Sequence, residues 1–333
     1  MALLVNAYST LRTPLWPDFL PQTAVQHRDH ADPELAAHLH GFVGYVNQAG
    51  DGQMTQARYH LMRHVQRVRQ HFSFEVDDAD VGALAQWAEH ANAVCFLADG
   101  SVRDPQGRVL ISQGEPAIDD DAQVPYPPDA LQRRAQQLSV LAAQGIRVPP
   151  SLPPVPGEAE ARVRDAAVVS RRMLALFAVA LRAEILAAGD TPPSLAEVET
   201  RLPGVADALS PQERAFFAQP APDAQALANF GWRYESLAVL QWALGLADTL
   251  PEPNALCDVP LVAQRALDNA QAAELLDTLD RHLRLHWAVR QAGQSGQTVP
   301  AGIVPGVVYE RHYALNWLLH FEDAEWDEVD TPT

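Results

Sequence analysis

The 333-residue chain contains no lysine, so all 24 of its Lys/Arg cations are arginine. That absence excludes a class of chemistry, because a Schiff base, a P-loop lysine and a lysine general base all need the missing amine. Arginine keeps its proton and holds carboxylates or phosphates in bidentate pairs. A GC-rich codon bias produces the same replacement, so the absence constrains mechanism without signalling a function.

Cysteine is almost as scarce. Cys95 and Cys257 lie far apart and neither belongs to a C-x-x-C pair, which argues against a disulfide scaffold and a cysteine zinc site. Long apolar runs are missing too. The longest, MLALFAVAL at Met173 to Leu181, is closed by Arg172 and Arg182 and falls short of the roughly 18 residues of a membrane span. The opening MALLVNAYST has no basic n-region and too short an apolar stretch for a signal peptide, so a cytoplasmic protein is expected. Basic patches are lacking as well. A net charge of −18, negative in every part of the chain, excludes nucleic acid and anionic membrane as expected partners.

What is present predicts an α+β protein: a small N-terminal α/β sandwich followed by a larger, almost entirely α-helical domain. In residues 1–112, LLVNAY, GFVGYVN at Gly41 to Asn47 and FSFEV read as strands. QMTQARYHLMRHVQRVRQHF and VGALAQWAEHA read as helices, the second opened by the acidic DDAD as N-cap and first turn. Around Asp104-Pro105-Gln106-Gly107, two β-rich runs predict a hairpin. Residues 113–130 are proline-rich and acidic, and read as a linker. Residues 131–333 show helical periods over Leu131 to Gln144, Glu158 to Ala188, Asp223 to Ala247, Val262 to Ala292 and Val308 to Phe321, separated by proline-bearing turns.

Placing these residues at about 100° per step puts charged groups on apolar stripes. Glu235 shares a stripe with Trp232, Val239, Trp242 and Leu246. His286 and Arg290 fall among Leu275, Leu279, Leu283 and Trp287, with Asp277, Asp280 and Arg284 on the opposite side. Glu310 lies beside Trp317 and Phe321, Arg311 between Leu315 and Leu318, and Arg172 with Val168, Leu176 and Val179. Inward ions must be paired, because a buried lone carboxylate costs several kcal/mol or takes up a proton. One reading is a buried salt-bridge network that fixes helix register. The other is a pocket where surplus arginines hold an anion. Tryptophan near the end of the chain adds a third element. Trp326 predicts a docked latch across the helical domain, with Asp327 reaching a hydrogen-bond donor.

Histidine pairs at i, i+4, His60 with His64 and His282 with His286, lack the Glu of H-E-x-x-H, and His27, His30, His38 and His40 fall in a loop and a helix start. No metal is expected. With no G-x-S-x-G and no glycine-rich phosphate loop, no cofactor is expected either. Cys257 beside Asp258 is a weak candidate thiolate, since a neighbouring acid raises its pKa.

The stretches SLPPVPGEAEARVRDAAVVSRRMLAL, SPQERAFF, WRYESLAVLQWALGL with LPEPNALCD, LDRHLRLHWAVR and VVYERHYALNWLLHFEDAEWDEVDTPT occur in that order. From about Leu131 onward the chain thereby resembles the domain of unknown function 4272 family, found mainly in bacteria. The resemblance implies a largely helical domain in a cytoplasmic protein, with no activity or cofactor attached. Its motif positions include Trp232, Arg233, Glu235, Trp242, His286, Trp287, Glu310, Arg311, Trp317, Trp326 and Asp327, without roles.

These features predict a noncatalytic binding or interaction protein with a protein or anionic small-molecule partner. The alternative is a hydrolase or transferase acting on an anionic small molecule, with Arg172, Arg290 and Arg311 holding the anion and Glu235, Glu310 or His286 moving the proton.

Overall fold

The computed structural model describes residues 2–49, 53–258 and 272–333, with the backbone alone for 272–277. The chain divides into two compact units, Met1–Gln132 with Pro150–Ala161, and Arg133–Pro149 with Arg162–Thr333. An N-terminal antiparallel sheet followed by a mostly helical region makes this an α+β protein.

The first unit is built on six strands: β1 (Leu3–Ser9), β2 (Gln26–Asp29), β3 (Gln70–Val76), β4 (Ala93–Leu97), β5 (Val102–Arg103) and β6 (Val109–Ile111). Their order is β2-β3-β1-β4-β5-β6, antiparallel throughout. Alternation along β1 sends Val5 and Ala7 to one face and Tyr8 to the other. On the first face they join Phe72, Phe74 and the Trp87 of α3 (Val81–His90). On the second, Tyr8 and Val94 meet Phe42 and Val46 of α1 (Pro33–Gln48) and Leu61 and Val65 of α2 (Gln56–Gln66).

GFVGYVN, expected as a strand, lies inside α1. Leu35, Leu39, Phe42 and Val46 carry a helical spacing across it, and Asp32 caps the helix by accepting from the Glu34 N–H at 2.9 Å, with Pro33 in its first turn. The DDAD cap expected for α3 also differs: Asp80 stands at its N-cap position with no side-chain bond to the helix. The hairpin around Asp104 forms between β5 and β6. There Gly107 takes φ +81° and the Asp104 carboxylate accepts from the N–H groups of Gln106 and Arg108, each at 3.0 Å.

The proline-rich stretch 113–130 is bonded to this unit along its length. Asp119 accepts from the Val109 N–H at 2.6 Å, Asp104 from the Gln123 N–H at 3.1 Å, and Val124 is buried. His60 and His64 serve the backbone, their Nε2 atoms lying 2.9 Å from the carbonyl oxygens of Ser151 and Tyr8.

α4 (Pro128–Ala143) runs across the division between the units. The second unit continues with α5 (Ala166–Ala187), α6 (Leu195–Arg201), α7 (Val205–Ala208), α8 (Pro211–Ala218), α9 (Ala224–Gly231), α10 (Arg233–Ala243), α11 (Ala272–Gln294) and α12 (Pro305–Leu318). The helix read from Glu158 begins only at Ala166, and the one read from Asp223 divides at Trp232, which ends α9 and starts α10. Residues 262–271 of the next lie outside the described part.

Helix α12 is the hub. From Val307 to Leu318 every residue except Tyr309 is buried, between α10 and α11. A helix buried on all sides must take its polar residues inward and pair them there. Among the described residues no helix is long and apolar enough to cross a membrane.

Candidate functional site

Glu235 on α10 and Arg311 on α12 are both almost wholly buried, and their side chains meet. Nε and Nη2 of Arg311 donate to Oε2 of Glu235 at 3.2 and 3.1 Å. The outer atoms of the pair reach one loop. Nη1 of Arg311 donates to the Pro251 carbonyl, and Oε1 of Glu235 accepts from the Cys257 N–H at 2.7 Å. Two buried charges thus hold both ends of segment 251–257.

Two residues before Glu235 and one before Arg311, a second pair forms: Arg233 donates to Oε2 of Glu310 at 3.0 Å. The Ser236 hydroxyl donates to the same oxygen at 2.7 Å. Arg233 also lies over the Tyr313 ring, 5.2 Å from its centroid. Gly306 makes the helix approach possible, since a Cβ there would stand 2.9 Å from Cζ2 of Trp232.

Arg172, on α5, finds a partner that the stripes did not reveal. Its Nη2 bonds Glu213, the N3 residue of α8, and its Nη1 donates to the Ala208 carbonyl at 3.1 Å. Glu213 closes a capping box with Ser210, so S-P-Q-E was the available signal for the helix start. Nothing in the sequence pairs it with Arg172.

The end of the chain folds over these groups. Trp326 packs edge-on against Tyr313 and Trp317, each at 5.2 Å, and Arg172 lies 4.9 Å from its ring centroid. The Tyr313 hydroxyl donates to the Trp326 carbonyl, and Asp327 accepts from the Gln212 N–H in the first turn of α8 at 3.1 Å. Arg164 secures the turn before it, donating to the carbonyls of Trp317 at 2.9 Å and Ala324 at 2.8 Å.

Helix α11 departs from its expected facing. Asp280 and Arg284, assigned outward, are fully buried and form an i, i+4 ion pair, Nε to Oδ2 at 2.9 Å and Nη2 to Oδ1 at 2.8 Å. Arg290, assigned inward, is exposed and bonds the Thr333 hydroxyl at 3.2 Å. The buried arc runs through Leu279, His282, Leu285 and Ala288, rotated from the stripe drawn through Leu283 and Trp287. The side chains of Leu275 and Asp277 lie outside the described part.

His286 is buried as expected, with Nδ1 3.0 Å from Nδ1 of His312, so one ring donates and the other accepts. Burial, with Arg290 nearby, lowers the His286 pKa to about 4. The same penalty lowers His282 to about 3 and pushes His312 far below its ordinary value. All three rings are neutral near pH 7. Burial and the neighbouring Glu235 push the Cys257 thiol up to about 12, and its Sγ–H donates to the Tyr234 carbonyl at 3.4 Å. That thiol is not a nucleophile.

The charge surplus expected of three inward arginines against two carboxylates therefore does not arise. Glu213 and Arg233 join the set and Arg290 leaves it, so Arg172, Arg233 and Arg311 each have one carboxylate. Among the described residues, no group of three or more His, Cys, Asp or Glu could hold a metal ion.

Two clefts flank segment 251–257. The first, about 250 Å3, is mainly apolar and lined by Ala228, Trp232, Tyr234, Glu235, Leu256 and Cys257. The second, about 240 Å3, is more polar and includes Trp242, Pro251, Glu252, Arg281 and His282. The Glu235–Arg311 pair reaches both, through Cys257 and Pro251.

Residues 133–329 match the family described as Domain of unknown function (DUF4272). No curated protein and no solved structure matches the chain.

Proposed function

From the premise that the chain belongs to the DUF4272 family, we propose that its helical unit is a noncatalytic binding module, taking a ligand at the clefts beside segment 251–257. One observation carries the reading: the charged residues best placed for chemistry are used to hold that segment. Both oxygens of Glu235 and all three donor positions of Arg311 are occupied within the protein. A general base must be free to accept a proton from substrate, and a guanidinium whose three nitrogens are already bonded offers little to an anion. Cleft walls held by a buried pair suit recognition, because fixing the walls beforehand lowers the ordering cost of binding. Free Cys95 and Cys257 support a reducing, cytoplasmic setting, and the family resemblance supports a bacterial one.

The hydrolase or transferase alternative draws less support. Arg172 and Arg311 are bonded to Glu213 and Glu235, and Arg290 stands apart on the exposed side of α11.

A thermal-shift screen of a metabolite panel, followed by mass spectrometry of each stabilising compound, tests the reading. A compound binding at one of the clefts adds about 2.7 kcal/mol at a hundredfold excess over its Kd and comes out unchanged. Chemical conversion of the stabilising compound, or a panel without any stabilising compound, contradicts the proposal.

A further inference from the structure

The second cleft differs from the buried network in the quality of its ion pair. Arg281 bonds Glu252, but the Arg281 side chain is 15% exposed and that of Glu252 61% exposed. A pair whose carboxylate stands in water contributes little to stability, so Glu252 can turn away at little cost. Arg281 is then a guanidinium fork at a cleft, whereas Arg172, Arg284 and Arg311 are sealed with buried partners. Planar, two-oxygen anions match that fork.

A second polar group in the same lining has one valence unused. Nδ1 of His282 lies 2.9 Å from the Thr278 carbonyl, an acceptor only, so Nδ1 carries the proton. In the neutral ring Nε2 is then an acceptor. This atom is buried and has no hydrogen-bond partner among the described residues. Its missing complement is an O–H or N–H. Around these groups stand Trp242, Leu250 and Pro253, with the Thr249 side chain in the lining. The volume of about 240 Å3 lies below the roughly 300–1,000 Å3 of pockets for drug-sized ligands.

We infer that the cleft between segment 249–253 and α11 binds a small carboxylate carrying a neighbouring hydroxyl or amino group, the carboxylate on Arg281 and the O–H or N–H toward His282. The inference rests on the binding reading above and names the ligand class of one of its two clefts. Glu252 acts as a built-in competitor, occupying Arg281 when the cleft is empty.

Calorimetric titration of the full chain with lactate, propionate and glycerol is the test. Lactate binds, propionate binds about fivefold more weakly for want of the hydroxyl, and glycerol does not bind. Arg281→Gln weakens lactate by at least about tenfold, the loss of a charged hydrogen-bonding partner. Glu252→Gln, at an exposed position that leaves the fold intact, strengthens lactate about two- to fivefold by removing the competitor. Silence toward lactate in the wild-type protein, or affinity indifferent to both substitutions, overturns the site. If other compounds stabilise the protein while lactate is silent, the binding reading stands and this ligand class falls. If lactate binds through Arg281 and is consumed, the site stands and the noncatalytic reading falls.

Discussion

Arg311 on α12 and Glu235 on α10 meet through two hydrogen bonds, at 3.2 and 3.1 Å, to the single oxygen Oε2. Their remaining polar atoms hold Pro251 and Cys257, the two ends of one cleft-forming segment. Replacing Glu235 with Leu removes the acceptor for the Cys257 amide. Amide hydrogen exchange at Cys257 is expected to rise, while the first unit keeps its protection. Unchanged exchange at Cys257 would detach the segment from the pair.

Gly306→Ala brings a methyl to within 2.9 Å of the rigid Trp232 indole. The expected loss is about 1–3 kcal/mol by urea denaturation, the range for overpacking a filled site. Pairing it with Trp232→Ala, which clears the contact, makes the cost of the alanine methyl much smaller than in the wild-type background.

Trp326→Ala and Asp327→Ala separate the two parts of the closing segment. Trp326 is 4% exposed and covers Arg172, so its truncation costs about 3–5 kcal/mol. Asp327 makes a part-exposed bond at the start of α8, and its loss costs at most about 1 kcal/mol. Equal losses would mean that the tail is held by the carboxylate and not by the ring.

Acid weakens the second unit before its carboxylates titrate. His282 has a folded pKa of about 3 against an ordinary 6.5, so below pH 6.5 the unfolded chain binds a proton that the folded chain refuses. Stability from this group is full above pH 6.5 and is lost as pH falls toward about 3. By pH 5.5 the loss for His282 alone is on the order of 1 kcal/mol. His286 and His312 act in the same direction. Urea denaturation between pH 7.5 and 5.5 checks this, and His282→Gln should flatten the slope.

Much of this arrangement was legible, and the failures have physical causes. Arg172, Glu235, Glu310 and Arg311 stood out because each interrupts an apolar stripe, and all four are buried. Asp280 and Arg284 were misplaced because a stripe assumes one buried face, while an i, i+4 ion pair carries its own counter-charge and can be buried where two charges look solvent-bound. Glu213 hid inside a capping box, where its local role masked its long-range one. GFVGYVN read as a strand from its glycines and branched residues, and tertiary packing of Phe42 and Val46 decided otherwise. No spacing rule could bring segment 251–257 to Glu235 and Arg311.

The most direct test is a double-mutant cycle at Glu235 and Arg311, using leucine at each position and urea denaturation. If the pair is a structural clamp, each single substitution strands a buried partner and costs about 3–5 kcal/mol. The double substitution then costs clearly less than the sum, with a coupling of about 2 kcal/mol or more. Singles that leave stability within about 0.5 kcal/mol and add independently would contradict the clamp, and would return Glu235 to the candidates for catalysis.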